Sequence, residues 1–392
     1  MTTLRDRAAI IGIGQTAFSK QSGITEHRAA CEAIRAAIDD AGLAPKDIDG
    51  FVRYDIESNT ELALIYSLGI PHLRFFAGVT SGGGAVCGTL VLAAMAIATG
   101  QARNVVCFRA RNRGKRSIST PGKFGGGRPW ERQPQQVADF YQYHTPFGLI
   151  TPAQEMALIY HRHMHEYGTT TEHFGQVAVA QRTHAERNPN AVMRQPITLS
   201  DHQSSRWIAE PLRMLDCCLE TDGACAVVVT SRERARDAQH TPAYILAGAQ
   251  AEGPIHIQLS DYFTHRNEET GGRSVAKQIY EMAEVSPRDI NAAMFYDHFS
   301  PAVLTSLEDY GFCKPGESGP FVAAGNIQWP HGRLPVNTHG GSLSEAFIHG
   351  FNHILEGVRQ IRGTSTCQVE NAELVLVTSS NTDPTGAVLL RR

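Results

Sequence analysis

Net charge, paired cysteines and long apolar runs are all scarce in this chain of 392 residues. A formal net charge of −3, from 36 basic and 39 acidic residues, provides no field that would gather nucleic acid or an anionic membrane surface. Eight cysteines stand at positions 31, 87, 107, 217, 218, 225, 313 and 367, and none forms a Cys-x-x-Cys pair. That scatter argues against a disulfide framework or a zinc site in this chain and suits a reducing cytoplasm, with most of the thiols as small core residues. The longest apolar run, about 85–99, is too short to span a bilayer and reads as a buried helix. The opening residues Met1 to Arg7 hold no apolar signal core. With 42% hydrophobic and 19% charged residues, the composition is that of a soluble globular protein.

What is present is an internal repeat. Pro45-Lys-Asp-Ile-Asp-Gly-Phe-Val-Arg-Tyr54-Asp55 recurs as Pro287-Arg-Asp-Ile-Asn-Ala-Ala-Met-Phe-Tyr296-Asp297, an offset of 287 − 45 = 242. Each copy follows a helical stretch (30–41 and 274–283) and runs into a short apolar strand. Thr80-Ser-Gly-Gly-Gly is echoed by Thr338-His-Gly-Gly-Ser, and each is expected to open a helix that runs to a glycine, Gly100 and Gly363. The runs 104–108, 224–229 and 374–377 lack alternation and so read as strands buried on both faces. The expected fold class is α/β: two similar halves, 1–240 and 241–392, in a five-layer α/β/α/β/α arrangement. A Gly-, Pro-, Gln- and His-rich region, 117–212, interrupts the first half as an inserted loop domain expected to cover a site.

Several segments carry a resemblance to a known family. Tyr296-Asp297-His298-Phe299 resembles the His-Asp-Cys-Phe motif of the thiolase superfamily, in the branch of sterol-carrier-protein-type and archaeal acetoacetyl-CoA thiolases. Leu307-Glu-Asp-Tyr-Gly-Phe-Cys313, Ala323-Ala-Gly-Asn-Ile-Gln328 and Pro335-Val-Asn-Thr-His-Gly-Gly341 are similar to family text farther along. The likeness covers nearly the whole chain, and it implies the thiolase fold and an acyl-CoA substrate.

The departures matter as much. Aligned on Gly83 + 17 = Gly100, the thiolase nucleophile position holds Gly83. Cys87, one turn on, is the only nearby thiol and stays open as a displaced nucleophile. The Gly-His-Pro motif is replaced by text containing Phe347 and His349, and the C-terminal motif by Ser380-Asn381-Thr382. A sub-branch that resembles this chain consists of steroid side-chain-cleaving aldolases. That resemblance implies retro-aldol cleavage of a β-hydroxyacyl-CoA, a 17-hydroxysteroid side-chain thioester, to a 17-ketosteroid and propionyl-CoA without an acyl-enzyme. It also implies a homodimer with a zinc-ribbon/OB-fold partner subunit on each protomer, no cofactor beyond the CoA of the substrate, and a tyrosine where this chain has Phe347.

A retro-aldol step requires a base for the β-hydroxyl proton and donors for the thioester oxygen as the enolate forms. Tyr296 and His298 are the candidates for proton transfer, and the residues alone leave open which is the base. An ordinary phenol (pKa ~10) needs a nearby cation or dipole to act as one, whereas imidazole (~6.5) works in either direction. The bland alternative is that Tyr296 is a core tyrosine and Asp297 structural, since Tyr54-Asp55 repeats the pair. Gly83 and Gly84, at a helix start, and by the resemblance Thr382, are candidates to hold the thioester oxygen. The glycines also fit simple close packing. Phe347, His349 and Ser380 are candidate pocket residues. Arg111, Arg113, Lys115 and Arg116 form a candidate CoA-phosphate clamp, equally a solvated loop or subunit contact. His161 and His165 share a helical face without a carboxylate partner and read as surface. Two rivals remain: an acyltransferase using Cys87, and a non-catalytic acyl-CoA-binding subunit.

Overall fold

The computed structural model describes residues 4–54, 56–80, 82–112, 145–149, 151–253, 270–380 and 384–392. Among them the strands, in chain order, are β1 Ala8–Gln15, β2 Gly50–Tyr54, β3 Phe75–Val79, β4 Asn104–Arg111, β5 Trp207–Ala209, β6 Leu212–Arg213, β7 Gly223–Ser231, β8 Ala243–Ala251, β9 Ala292–Met294, β10 Leu374–Thr378 and β11 Thr385–Arg391. Strands β5 and β6 make a separate ribbon, and the other nine form one mixed sheet in the order β3-β2-β4-β7-β1-β8-β11-β10-β9.

That order is the internal repeat made visible. The antiparallel β1–β8 pair, through Ala9↔Tyr244 and Ile10↔Ala243, sits at the middle. Reading outward, β7-β4-β2 on one side mirrors β11-β10-β9 on the other; β3 extends the first half, and its place in the second is taken by a single parallel bridge, Ala293↔Val336. The turns that lead into β2 and β9 are built alike. Asp47 accepts from the Ala44 N–H at 2.8 Å, and Asp289 accepts from the Ser286 N–H at 2.7 Å.

The helices follow from pattern and caps. In Glu26–Asp40, Thr25 accepts from the Arg28 N–H, and one stripe of Ala29, Ala30, Ala33, Ile34, Ala37 and Ile38 is buried. In Gly271–Ala283, Thr270 caps in the same way over Val275, Ala276, Ile279 and Ala283. The helix Val86–Ala98 is apolar on nearly every side, and such a helix is stable only when it is enclosed. Alternation along each strand then sets the layers. On β4, Val106 and Phe108 pack with Ile34 and Ile38, whereas Val105 and Cys107 face Leu90 and Val91. On β10, Leu376 joins Val275 and Ile279, whereas Val375 and Val377 face Ile354, Leu355 and Val358. The helices Val86–Ala98 and Phe351–Arg362 are therefore a central layer between two sheet halves, with helices outside both, which is the expected α/β/α/β/α order.

One expectation needs correcting. The second copy of the glycine-rich segment does not open one helix running to Gly363. A single turn, Gly341–Ser344, is followed by a loop, and the helix restarts at Phe351. His349 (φ +50°) and Gly350 (φ +84°) break it with left-handed backbone.

Of the inserted region, residues 117–144 and 150 lie outside the described residues. Its helices Pro152–Tyr167 and Thr171–Arg187 dock on the second half through buried polar contacts. His163 meets Glu308 at 3.2 Å, Arg182 donates to Ser344 at 2.8 Å, and Asn188 donates to the His339 carbonyl and to Glu345, each at 2.9 Å. His161 and His165 are exposed. All eight cysteines are free. No described helix is long and apolar enough to cross a membrane.

Candidate active site

The head of the buried helix Val86–Ala98 is where the two halves meet. A one-turn segment, Gly82–Ala85, leads into it. A Cβ added to Gly83 would stand 2.6 Å from the hydroxyl of Tyr296, and one added to Gly84 would stand 1.8 Å from the Pro384 carbonyl oxygen. Glycine at both positions is thus required by close approach. The phenolic oxygen of Tyr296 fills the volume in which a side chain at position 83 would begin.

Tyr296 comes from the second half. Strand β9 stops at Met294, so Tyr296 and His298 lie on a loop, not a strand, yet their rings are neighbours with centroids 5.3 Å apart. Tyr296 is buried (3% exposed), and its backbone N–H donates to Thr378 Oγ1 at 3.2 Å. Phe347 and His353 meet its ring edge-on at 6.0 and 6.3 Å, and Gly350 lies close against it. His298 is half-buried, but its Nδ1 is enclosed and has no hydrogen-bond partner among the described residues. Burial pushes its pKa down to about 4, with Asp297's charge and the Tyr296 carbonyl pulling upward less strongly. The imidazole is therefore neutral near pH 7 and able to accept a proton.

Asp297, between them, turns inward. Its carboxylate accepts from the Ser342 N–H at 2.8 and 2.9 Å and from Leu343 at 3.4 Å, at the start of the turn Gly341–Ser344. It also meets His353 Nε2 at 3.0 Å, and His353 Nδ1 lies 2.8 Å from His339 Nε2. Glu345 closes this buried group: its oxygens accept from Asn188 and Asn352, and burial pushes its pKa up to about 7. His339 is held well below the ordinary imidazole value, first by burial and then by His353 and Arg359. None of His339, Glu345 and His353 was named from the sequence. Only the echo around Thr338-His339 hinted at them, because the partners lie tens of residues apart.

The other expected positions divide. Phe347 and His349 are in the site wall: their rings stand 4.9 Å apart, and the Phe347 N–H donates to Thr221. The Ser380 N–H donates to the Gly83 carbonyl at 3.1 Å, which ties the C-terminal loop to the helix head. Arg111 requires a correction. It is 2% exposed, its guanidinium lies 4.7 Å over the Phe347 ring, and it reaches His349 Nε2. It is a buried wall residue and not an exposed phosphate clamp. Its neighbour Arg109 donates to His349 Nδ1 at 3.1 Å and pairs with Glu57 at 2.9 Å. Thr382, Arg113, Lys115 and Arg116 lie outside the described residues. Cys87 does not serve as a nucleophile here. It is fully buried, its thiol donates to the Val377 carbonyl at 3.4 Å, and burial pushes its pKa up to about 12.

The chain is similar to several known proteins. Residues 242–383 match the family described as thiolase C-terminal domain-like. Over 394 aligned residues the chain is 50% identical to a steroid side-chain-cleaving aldolase of Thermomonospora curvata, covering 100% of this chain and 99% of that one. It is 47% identical to a 17-hydroxy-3-oxo-4-pregnene-20-carboxyl-CoA lyase of Mycobacterium tuberculosis, covering 99% of this chain and 100% of that one. A solved Ltp2-ChsH2(DUF35) aldolase is 47% identical with a TM-score of 0.91, covering 99% of this chain and 98% of that one. Human mitochondrial 3-ketoacyl-CoA thiolase, at 14% identity and a TM-score of 0.67 over 100% of this chain and 99% of that one, shares the fold.

Proposed function

The chain belongs to the thiolase superfamily, in its group of steroid side-chain-cleaving aldolases, and on that footing we propose that it cleaves a 17-hydroxysteroid side-chain CoA thioester by a retro-aldol reaction. The observation that carries the reading is the Tyr296 hydroxyl, seated against Gly83 where an acyl-accepting side chain would otherwise begin. A site so arranged has proton-transfer groups and, among the described residues, no nucleophile at the helix head.

The chemistry assigned to the residues is as follows. The β-hydroxyl proton passes to Tyr296 as a phenolate stabilised by the helix-head dipole or, through its neutral hydroxyl, which passes its own proton on, to neutral His298. The carbinol C–O becomes a ketone C=O as the bond between that ring carbon and the α-carbon breaks. Its electron pair moves to the α-carbon and onto the thioester oxygen as an enolate. Backbone N–H groups at Gly83 and Gly84, at the head of the buried helix, hold that oxygen. Returning the proton to the α-carbon releases propionyl-CoA and the 17-ketosteroid and restores the site. No acyl-enzyme forms.

Exposed apolar side chains of the first half support a homodimer: Phe76 on the edge strand β3 is 68% exposed, and Leu62 and Tyr66 on the helix Glu61–Leu68 are 74% and 89% exposed. The solved relative contains a ChsH2(DUF35) component, which supports a partner subunit for this chain; its zinc-ribbon/OB-fold character and an α2β2 assembly are what the family resemblance implies.

The test is to mix the protein, alone and co-expressed with such a partner, with a 17-hydroxysteroid β-hydroxyacyl-CoA and follow the products by mass spectrometry. Propionyl-CoA and 17-ketosteroid that disappear in Tyr296→Phe are expected. Thioester binding without cleavage would return the protein to the non-catalytic subunit reading.

A further inference from the structure

We propose that Asp297 and His353 are positioning residues that hold Tyr296 against the head of the buried helix. The proposal deepens the aldolase reading and rests on it only for its kinetic arm.

Asp297 touches three separate parts of the site at once. It is covalently next to both Tyr296 and His298. Its two oxygens accept from the Ser342 N–H at 2.8 and 2.9 Å, which anchors the turn leading to Phe347. It meets His353 at 3.0 Å on the central helix Phe351–Arg362. Both residues are fully buried, so these contacts do not compete with water.

The proton count fixes the direction of the chain. Asp297 only accepts when ionised, so His353 Nε2 carries the proton shared with it. With the proton on Nε2, a lone pair at His353 Nδ1 makes His339 Nε2 the donor across 2.8 Å. That assignment leaves His339 Nδ1 as a bare lone pair, and this atom has no hydrogen-bond partner among the described residues. A neutral His339 agrees with a pKa held well below the ordinary value. His353 therefore has one orientation that satisfies both of its nitrogens, and in it the ring stands edge-on to Tyr296 at 6.3 Å.

Tyr296 is clamped as a result. Gly350, the residue before His353's helix, is so close that a Cβ there would stand 2.8 Å from the tyrosine ring. Phe347, carried by the turn that Asp297 anchors, closes another edge. The ring has little freedom except along the line that points its hydroxyl at Gly83. Preorganisation of this kind matters because a misplacement of ~1 Å can cost ~10²-fold in rate.

Asp297→Asn keeps the shape but turns an acceptor into a donor that faces an N–H of Ser342 or His353. His353→Gln keeps a polar group but loses the ring. Both variants, and the parent, are made in the full chain with 3-fluorotyrosine incorporated, and Tyr296→Phe identifies the Tyr296 line by 19F NMR. The expected result is a displaced or broadened Tyr296 line in both variants while the other tyrosine lines stay in place. With the steroid thioester, kcat is expected to fall roughly 10- to 100-fold with KM little changed. An unmoved Tyr296 line in folded Asp297→Asn and His353→Gln overturns the proposal whatever the substrate. If Asp297→Asn does not fold, His353→Gln alone decides. A moved line in a parent that cleaves nothing supports the positioning and sinks the aldolase reading instead.

Discussion

Strands β2 and β9 begin with the same turn and read toward the same Tyr-Asp pair, and they end differently. In the first half β2 pairs on both sides and stays in register to its last residue, Tyr54↔Val79. In the second half β9 is three residues long, pairs with β10 on one side, and on the other has a single parallel bridge, Ala293↔Val336, in place of a strand. Tyr296 is thus freed from the ladder, and its N–H goes to the Thr378 side chain instead of a neighbouring strand. Counting by the offset of 242, His298 corresponds to Ile56, a half-buried residue packed against the central core. The lesson is that one duplicated unit is put to a different use where its strand stops early, because the chain that has left the ladder turns Tyr296 toward the helix head.

Predictions that break or sharpen this contrast run from strong to weak. Tyr296→Phe removes the hydroxyl that the second copy delivers to Gly83, and cleavage is expected to fall ~10³-fold with folding intact. Release of propionyl-CoA, followed by mass spectrometry, checks it. Gly83→Ala puts a methyl 2.6 Å from that hydroxyl. Turnover is expected to fall ~10²-fold and stability by ~1–3 kcal/mol, measured by steady-state kinetics and denaturant melts.

His298 gives the second copy a pH dependence that Ile56 cannot have. Its pKa falls on folding from 6.5 to about 4, so between those values the unfolded chain binds more protons than the folded one. Its contribution to stability is therefore full above 6.5 and is lost as pH falls toward 4. His298→Gln is expected to flatten that part of the stability–pH curve by ~1–3 kcal/mol, read from urea melts at several pH values. Thr378→Val removes the acceptor that substitutes for the ladder and leaves a buried N–H unmet. A loss of ~1–3 kcal/mol is expected in the same melts, together with a modest fall in turnover. Cys87→Ala, one turn into the helix, is expected to leave turnover unchanged and to cost about 1 kcal/mol of stability. The native protein is also expected to resist iodoacetamide at this residue, as followed by peptide mass mapping, because its thiol is enclosed and its pKa is about 12.

The duplicated frame was legible because repetition survives in local text: the Pro-x-Asp turns, the unalternating strands and the helix stripes are short-range patterns. The site was legible where one side chain stood in for another, as with Gly83, Tyr296 and His298. It was illegible where burial is decided by distant partners. Arg111 reads as one basic residue in a basic run, yet it lies beneath Phe347, 236 positions on (347 − 111). Asp297 reads as scaffold, and nothing in its neighbourhood announces His353 or His339. The break at His349–Gly350 was hidden for a similar reason, since a non-glycine residue at positive φ leaves little trace in composition.

The hydroxyl of Tyr296 and any side chain on residue 83 claim one volume, and this has a consequence for ancestry. A lineage moving between acyl transfer and bond cleavage cannot change these positions one at a time. A cysteine at 83 collides with the tyrosine, and a small residue at 296 opposite Gly83 leaves a hole that no nucleophile fills. The two chemistries face each other across a double substitution. Descendants on either side are held there by packing, long after the selection that separated them has passed.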